Sequence, residues 1–305
     1  MRVTFLLLLA AAQAPADTAP RIRIELAVAE SGEASSRWLA MLRRRVPAAR
    51  YDSLAGVRRR LDAAERDWLE LLAARRRAWE AAIPALARVF APIAPPAEAV
   101  VVIGNRGGED AFTHDSVTIG FDVSALARVY GEASAQGNRE RVDRLFRHEY
   151  VHLLQKRWLG LHPYRDTTPR GAAVAEIWAE GLGVWYSMSE RWRMQEGRPS
   201  SAAAAALTRL EPVLVERLAA LGCATAAEAL ALTAELSFAP FERKWGALPA
   251  ALWLEAAAAR SPAALREFVV EGPDAVWTLA DRSLPPRLAA ALREARVSGC
   301  APPAR

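Results

Sequence analysis

The sequence predicts a helix-rich α+β protein, in which a small β-sheet packs on a long central helix and the helix after it, with additional N- and C-terminal helices. Three observations carry this reading. Short apolar segments with strand patterning occur at 21–29, 99–104 and 117–123. Apolar residues recur at helical spacing from about Ser35 to Phe90, from Asn138 to Trp158 and from Thr168 to about Gln195. From Ser200 onward the chain is alanine-rich and again helical in pattern.

The composition narrows the function classes. With 305 residues, 52% hydrophobic and 25% charged, and a mean hydropathy of +0.01, the chain is an ordinary globular one. Wholesale disorder, collagen-like repeats and a polytopic membrane protein are excluded, and the length suffices to bury a core without metals or disulfides. The net charge of +5 comes from 40 Lys+Arg against 35 Asp+Glu, and lysine stands only at Lys156 and Lys244. The runs Arg43–Arg45, Arg58–Arg60 and Arg75–Arg77 share their helical region with Asp62, Glu65, Asp67 and Glu70. They read as solvated helix faces; a nucleic-acid partner is not expected, since no basic stripe with stacking aromatics accompanies them.

Taken in order, Arg2, the apolar run Val3–Ala12 and Ala14-Pro15-Ala16 before Asp17 have the form of a secretory signal peptide over residues 1–16. The run is too short to span a bilayer, so an exported protein with no integral membrane anchor after cleavage is expected. The N-terminal strand and helical region extends over 17–96 and closes at Pro95-Pro96. The segments 99–104 and 117–123, joined by a loop carrying His114, form a hairpin or a pair of neighbouring strands. Asn138 is placed as the N-cap of the next helix and Gly160 as its stop. Thr168-Pro169 then reads as N-cap and first residue of a helix reaching to about Gln195. These pieces make a core unit over 97–197, followed by a C-terminal helical region over 198–305 broken at its prolines. Cys223 and Cys300, in an exported protein, form one disulfide or remain two buried thiols.

One segment carries chemistry: Arg147-His148-Glu149-Tyr150-Val151-His152-Leu153-Leu154-Gln155. On a helix, His148 and His152 lie on one face and reach a single metal ion. Glu149 falls one residue further round, beside the ion, where it can take a proton from water held there. Moving either histidine by one residue would turn it about 100° away. Only four histidines occur in the chain, and two stand in this register. A catalytic zinc needs a third protein ligand. The metzincin pattern fails because Gln155 and Trp158 occupy its positions. His162 reads as a surface loop histidine, and His114 as a surface or substrate-side residue. The better candidates are Glu176 and Glu180, which face the same way on an otherwise apolar helix, one as ligand and the other beside it.

His148-Glu149-x-x-His152-x-x-Gln155, followed by Trp178-x-Glu180-Gly181-Leu182, resembles the gluzincin metallopeptidases of the peptidase MA-like group, many of them exported bacterial proteins. The resemblance covers about residues 99–195 and implies Zn2+ held by His148, His152 and Glu180, Glu149 as the catalytic general base, and a peptide or protein substrate. It also implies that the strands before the zinc helix offer an edge to extended peptide. The sequence departs from the group where Val184 stands in place of the aspartate that orients the first histidine in thermolysin-like relatives. If Glu176 were the ligand, Glu180 would fill that orienting position. Gly181 and Gly183 are expected to let the two helices approach closely. Tyr186 is the nearest aromatic hydroxyl after Glu180, but reads as a packed helix tyrosine. Two other readings share these motifs: an exported zinc-binding structural or interaction protein with an inactive site, and a zinc hydrolase acting on a non-peptide amide. An intramembrane protease is excluded, because no second hydrophobic span exists.

Overall fold

The structure is a computed structural model and describes residues 19–28, 32–46, 48, 51–52, 59–237 and 240–297. The signal segment and Cys300, and with Cys300 the expected disulfide, lie outside the described residues; Cys223 is exposed.

The architecture is helix-rich α+β, as the patterning predicts. A sheet of strand order β1-β2-β4-β3 is built from β1 (Arg21–Leu26), β2 (Glu98–Gly104), β3 (Ala111–Thr113) and β4 (Thr118–Asp122). β1 pairs with β2, and β2 with β4, in parallel, while β3 turns back antiparallel on β4 and forms an edge. The segments near 99 and 117 are thus neighbours but not a hairpin. The loop between them contributes a strand of its own, too short at three residues to leave a period in the sequence.

β2 is buried on both faces, which explains its unbroken apolar run. Ala99, Val101 and Ile103 enter the main core, while Val100 and Val102 meet a second cluster with Trp38, Met41 and Leu42 of α1 (Ser36–Arg43). The helical region before Phe90 continues as α2 (Ala63–Ala74) and α3 (Arg76–Ala87). Asp62 and Glu65 close a reciprocal capping box at the start of α2. Pro84 lies inside α3 rather than punctuating it. After β4, Asp122 caps α4 (Val123–Tyr130), accepting from the backbone N–H groups of Ser124 and Ala125.

The long helix α5 (Asn138–Leu161) begins one residue earlier than the sequence suggests. Gly137, at φ +85°, is its N-cap, and the buried Asn138 side chain donates back to Glu132 O and Tyr130 O. The helix also runs through Gly160, where a side chain would meet open space, and ends only at His162 before Pro163. α6 (Pro169–Ser187) starts as expected, with Thr168 accepting from Gly171 N–H, but stops eight residues short of Gln195. Glu196 and Gly197, at φ 50° and 76°, instead turn a two-residue hairpin between β5 (Met194–Gln195) and β6 (Arg198–Pro199).

The C-terminal third is helical: α7 (Ser201–Leu221), α8 (Ala226–Thr233), α9 (Ala247–Arg260), α10 (Ala264–Glu271), α11 (Ala275–Ser283) and α12 (Pro286–Val297). Pro212 and Pro249 lie within helices, the latter in a first turn, where it sacrifices no intrahelical bond. One buried cluster runs from Ile22 to Leu292 and joins the sheet to the helices on either side of it in sequence.

α5 is held under the sheet by an aromatic stack and an ionic anchor. Trp79 of α3 stacks between Phe121 of β4 (5.6 Å) and Phe146 of α5 (4.7 Å). Its Nε1–H donates to Asp143 (2.9 Å), which also accepts two bonds from Arg75 at 2.9 and 2.8 Å. Truncation of so buried a side chain leaves a cavity as well as lost stacking. Trp79→Ala is expected to lower unfolding free energy in a denaturant titration by about 3–5 kcal/mol. Trp79→Phe, which keeps the stack and loses the indole donor, should lower it by only about 1 kcal/mol.

Candidate metal centre

α5 and α6 bring the predicted residues together. His148 and His152 lie one turn apart, their rings 4.7 Å between centroids and near-perpendicular. Glu180 reaches across from α6 and sets one carboxylate oxygen against each ring: Oε2 is 3.4 Å from His148 Nε2, and Oε1 is 3.3 Å from His152 Nε2. All three donor atoms lie within 4.8 Å of one another.

The hydrogen bonds around the triad aim both imidazoles. Gln155 Nε2 can only donate, and it faces Ala179 O (3.2 Å) and Trp178 O (3.5 Å). Its Oε1 must therefore accept from His152 Nδ1–H at 2.8 Å. Ser187 Oγ donates to Val184 O and so accepts from His148 Nδ1–H, both at 3.2 Å. With Nδ1 engaged in this way, each ring turns its Nε2 toward Glu180. Ser187 thus steadies His148 from three residues beyond Val184.

This donor set fits a zinc ion. Tetrahedral ligands at about 2.0–2.1 Å from zinc stand roughly 3.3–3.4 Å from each other; one carboxylate oxygen of Glu180 stands at that spacing from His148 and the other from His152, so the three side chains could share an ion. His152 Nε2 is buried and makes no hydrogen bond of proper geometry, although Glu180 is adjacent. A buried ring nitrogen left without a well-formed partner beside a carboxylate is an atom that a cation could satisfy. Burial alone would raise the Glu180 carboxyl, but the imidazoles of His152 and His148 overrule it and hold it well below its ordinary value. Burial would likewise lower His152; Glu180, with Glu149 and Gln155 assisting, raises it to about 9.

Glu149 is buried beside the triad, and Thr113 Oγ1 lies 2.9 Å from its Oε2 and 2.7 Å from its backbone carbonyl. Thr113 belongs to the edge strand β3. His114 N–H bonds Thr118 O, and Asp122 N–H bonds Asp110 O. Ala111 and Thr113 between them therefore turn their backbone groups to the open side. Asp110 takes the N–H of Ala111, and Lys156 Nζ takes the carbonyl of Thr113 at 3.1 Å. Among the described residues, Ala111 C=O and Thr113 N–H remain unpaired on that edge. The edge, Glu149 and the triad line one cleft of about 1070 Å3.

The other candidates lie elsewhere. Glu176 also lines the cleft, yet the Ser237 hydroxyl bonds its carboxylate and it takes no part in the triad. Burial, with Glu180 nearby, pushes its carboxyl up. His162 is exposed and stacks on Trp158 at 4.1 Å. His114 serves β3 through its backbone and stands outside the triad. Tyr186 packs edge-on against Trp185 at 4.7 Å and does not line the cleft. The two glycines serve different neighbours. A Cβ at Gly183 would stand 2.9–3.1 Å from the His148 ring, whereas one at Gly181 would meet Ala250 of α9 at 2.7 Å. Sequence reasoning missed Ser187 and Thr113, which carry no motif and enter through the fold alone.

Comparison of the chain with protein-family models, with curated proteins and with solved structures returns no match.

Gly183→Ala is expected to displace the His148 ring and weaken zinc binding about 10–100-fold, measured by competition with a chromophoric chelator, with helical circular dichroism retained. The raised His152 gives a second expectation. A proton bound that tightly competes with a metal until the pH passes about 9. Apparent zinc affinity should therefore rise about tenfold per pH unit from about pH 7 and level off above about 9, with proton release seen in buffer-dependent calorimetry. An affinity flat across that range would refute the assignment.

Proposed function

We propose that this protein is an exported zinc metallopeptidase of the gluzincin type, with His148, His152 and Glu180 as metal ligands and Glu149 as general base. The observation that carries this reading is the convergence of the three donor atoms within 4.8 Å on the wall of a large cleft, with a buried carboxylate one residue from a ligand. A structural zinc site is closed by four protein ligands. Here the described residues supply three, and the cleft opens beside them. A base next to the metal has no purpose in a purely structural site.

When bound, zinc supplies Lewis acidity and lowers the pKa of a coordinated water toward neutrality. The chain's own residues do the rest. Glu149 accepts the proton of the attacking water and returns it to the leaving amine. Thr113, sharing its hydroxyl between the Glu149 backbone and carboxylate, holds that side chain toward the cleft. Ala111 C=O and Thr113 N–H pair with the backbone of an extended substrate, giving affinity with little sequence selectivity. Gln155 and Ser187 keep both histidines in the metal-binding tautomer.

Export rests on the signal pattern at residues 1–16. No helix among the described residues is long and apolar enough to cross a membrane.

Zinc-loaded protein should hydrolyse a denatured protein such as casein and lose this activity to a chelator. Glu149→Gln should bind zinc as the parent does and lose about 10²–10⁴-fold in kcat. Parental activity in that variant would sink the mechanism.

A further inference from the structure

The charged groups of the cleft are mostly matched to one another. Arg45 pairs with Glu109, Arg191 with Glu242 at 3.1 Å, and Asp110 accepts from the Tyr130 hydroxyl at 2.5 Å. Arg141 bonds Asn138 and lies over the Tyr130 ring at 4.3 Å. Lys244, also on the cleft wall, has no ionic partner among the described residues, and among the guanidinium groups Arg144 stands apart. It lines the same cleft with its side chain 24% exposed, makes no hydrogen bond among the described residues, and has as its nearest carboxylate Glu140, 3.8 Å away and 82% exposed. An exposed acid at that distance compensates little. Burial first, then Arg141 and Arg147, pull the Arg144 guanidinium below its ordinary value, so this stretch of α5 carries uncompensated positive charge.

The position of Arg144 decides what that charge can meet. It precedes His148 by one turn on the same face, a rise of about 5.4 Å, and helical side chains lean toward the N-terminus. Its guanidinium therefore reaches along the cleft and away from the metal ligands. At roughly 3.3–3.6 Å per extended residue, it addresses a group within about two residues of the scissile bond rather than the reacting carbonyl. A planar, doubly donating guanidinium that lacks its anion is matched best by a carboxylate.

We propose that Arg144 is a specificity-determining residue that receives a substrate carboxylate, from an acidic side chain or a free C-terminus, close to the bond being cleaved. The proposal rests on the peptidase reading for its geometry. It directs the enzyme to acidic peptides or to chain ends, a selectivity that backbone pairing with β3 cannot supply.

The test uses the full zinc-loaded protein and quenched alanine-based octapeptides carrying one Asp, Asn or Lys at successive positions, with matched peptides ending in a carboxylate or an amide. Wild type should favour Asp over Asn at one position, or carboxylate over amide, by about ten- to a hundredfold in kcat/KM; which pair shows it identifies the source. In Arg144→Gln the ratio should fall to near one. Arg144→Glu should turn the preference toward Lys, an inversion that a merely structural role would not produce. No preference in wild type, or a ratio that persists in Arg144→Gln, overturns the proposal. If no peptide is cleaved, the peptidase reading fails by itself, and fluorescence anisotropy with the same peptides then decides. Tighter binding of the acidic or free-carboxylate member, lost in Arg144→Gln, upholds the anion site; equal binding overturns it.

Discussion

The structure depends on the close approach of α5 and α6 at Gly183 and His148. A methyl group at 183 would intrude on the imidazole, and without that proximity Glu180, on the same helix, could not reach both histidines. α6 is held in place from its far side. Gly181 admits Ala250 of α9, and the buried indole of Trp178 donates to Phe268 O of α10 at 3.1 Å. The C-terminal helices, which carry no motif, thus set the distance on which the triad relies. Gln155 ties the arrangement together, because one amide both orients His152 and grips the backbone of α6.

The sheet contributes from the other side. The Trp79 stack and the Arg75–Asp143–Trp79 network fix α5 beneath β4, which carries β3 to the rim of the cleft. Thr113 then couples the edge strand to Glu149. An open edge usually invites aggregation. Here β3 is three residues long, and Asp110 and Lys156 occupy part of its open backbone. The unpaired remainder, beside a buried carboxylate, is one carbonyl and one N–H group, too little to template a new strand along its length.

Much of the fold was legible because burial imposes period. β2, α5 and the start of α6 show in the sequence through apolar runs, helical spacing and the Thr168-Pro169 cap. What misled was local chemistry with two meanings. Asn138 looks like a cap but spends its side chain on the preceding loop, and Gly160 looks like a stop but is tolerated until Pro163 intervenes. The Glu196-Gly197 turn left no mark stronger than a glycine, and the short β3 left none.

His148, Glu149, His152 and the choice between two glutamates were determined by sequence alone, because side chains four residues apart on one helix need only helical geometry to meet. Which glutamate faces them was decided by tertiary structure, since Glu176 and Glu180 share a helix face and differ only in what the surrounding helices bring near. Ser237 takes the first, and the histidines take the second. The partners that aim each imidazole, the strand beside Glu149 and the unmatched charge of Arg144 arise the same way. Each is a relation between distant segments, and no spacing along one chain encodes a distance between two of its parts.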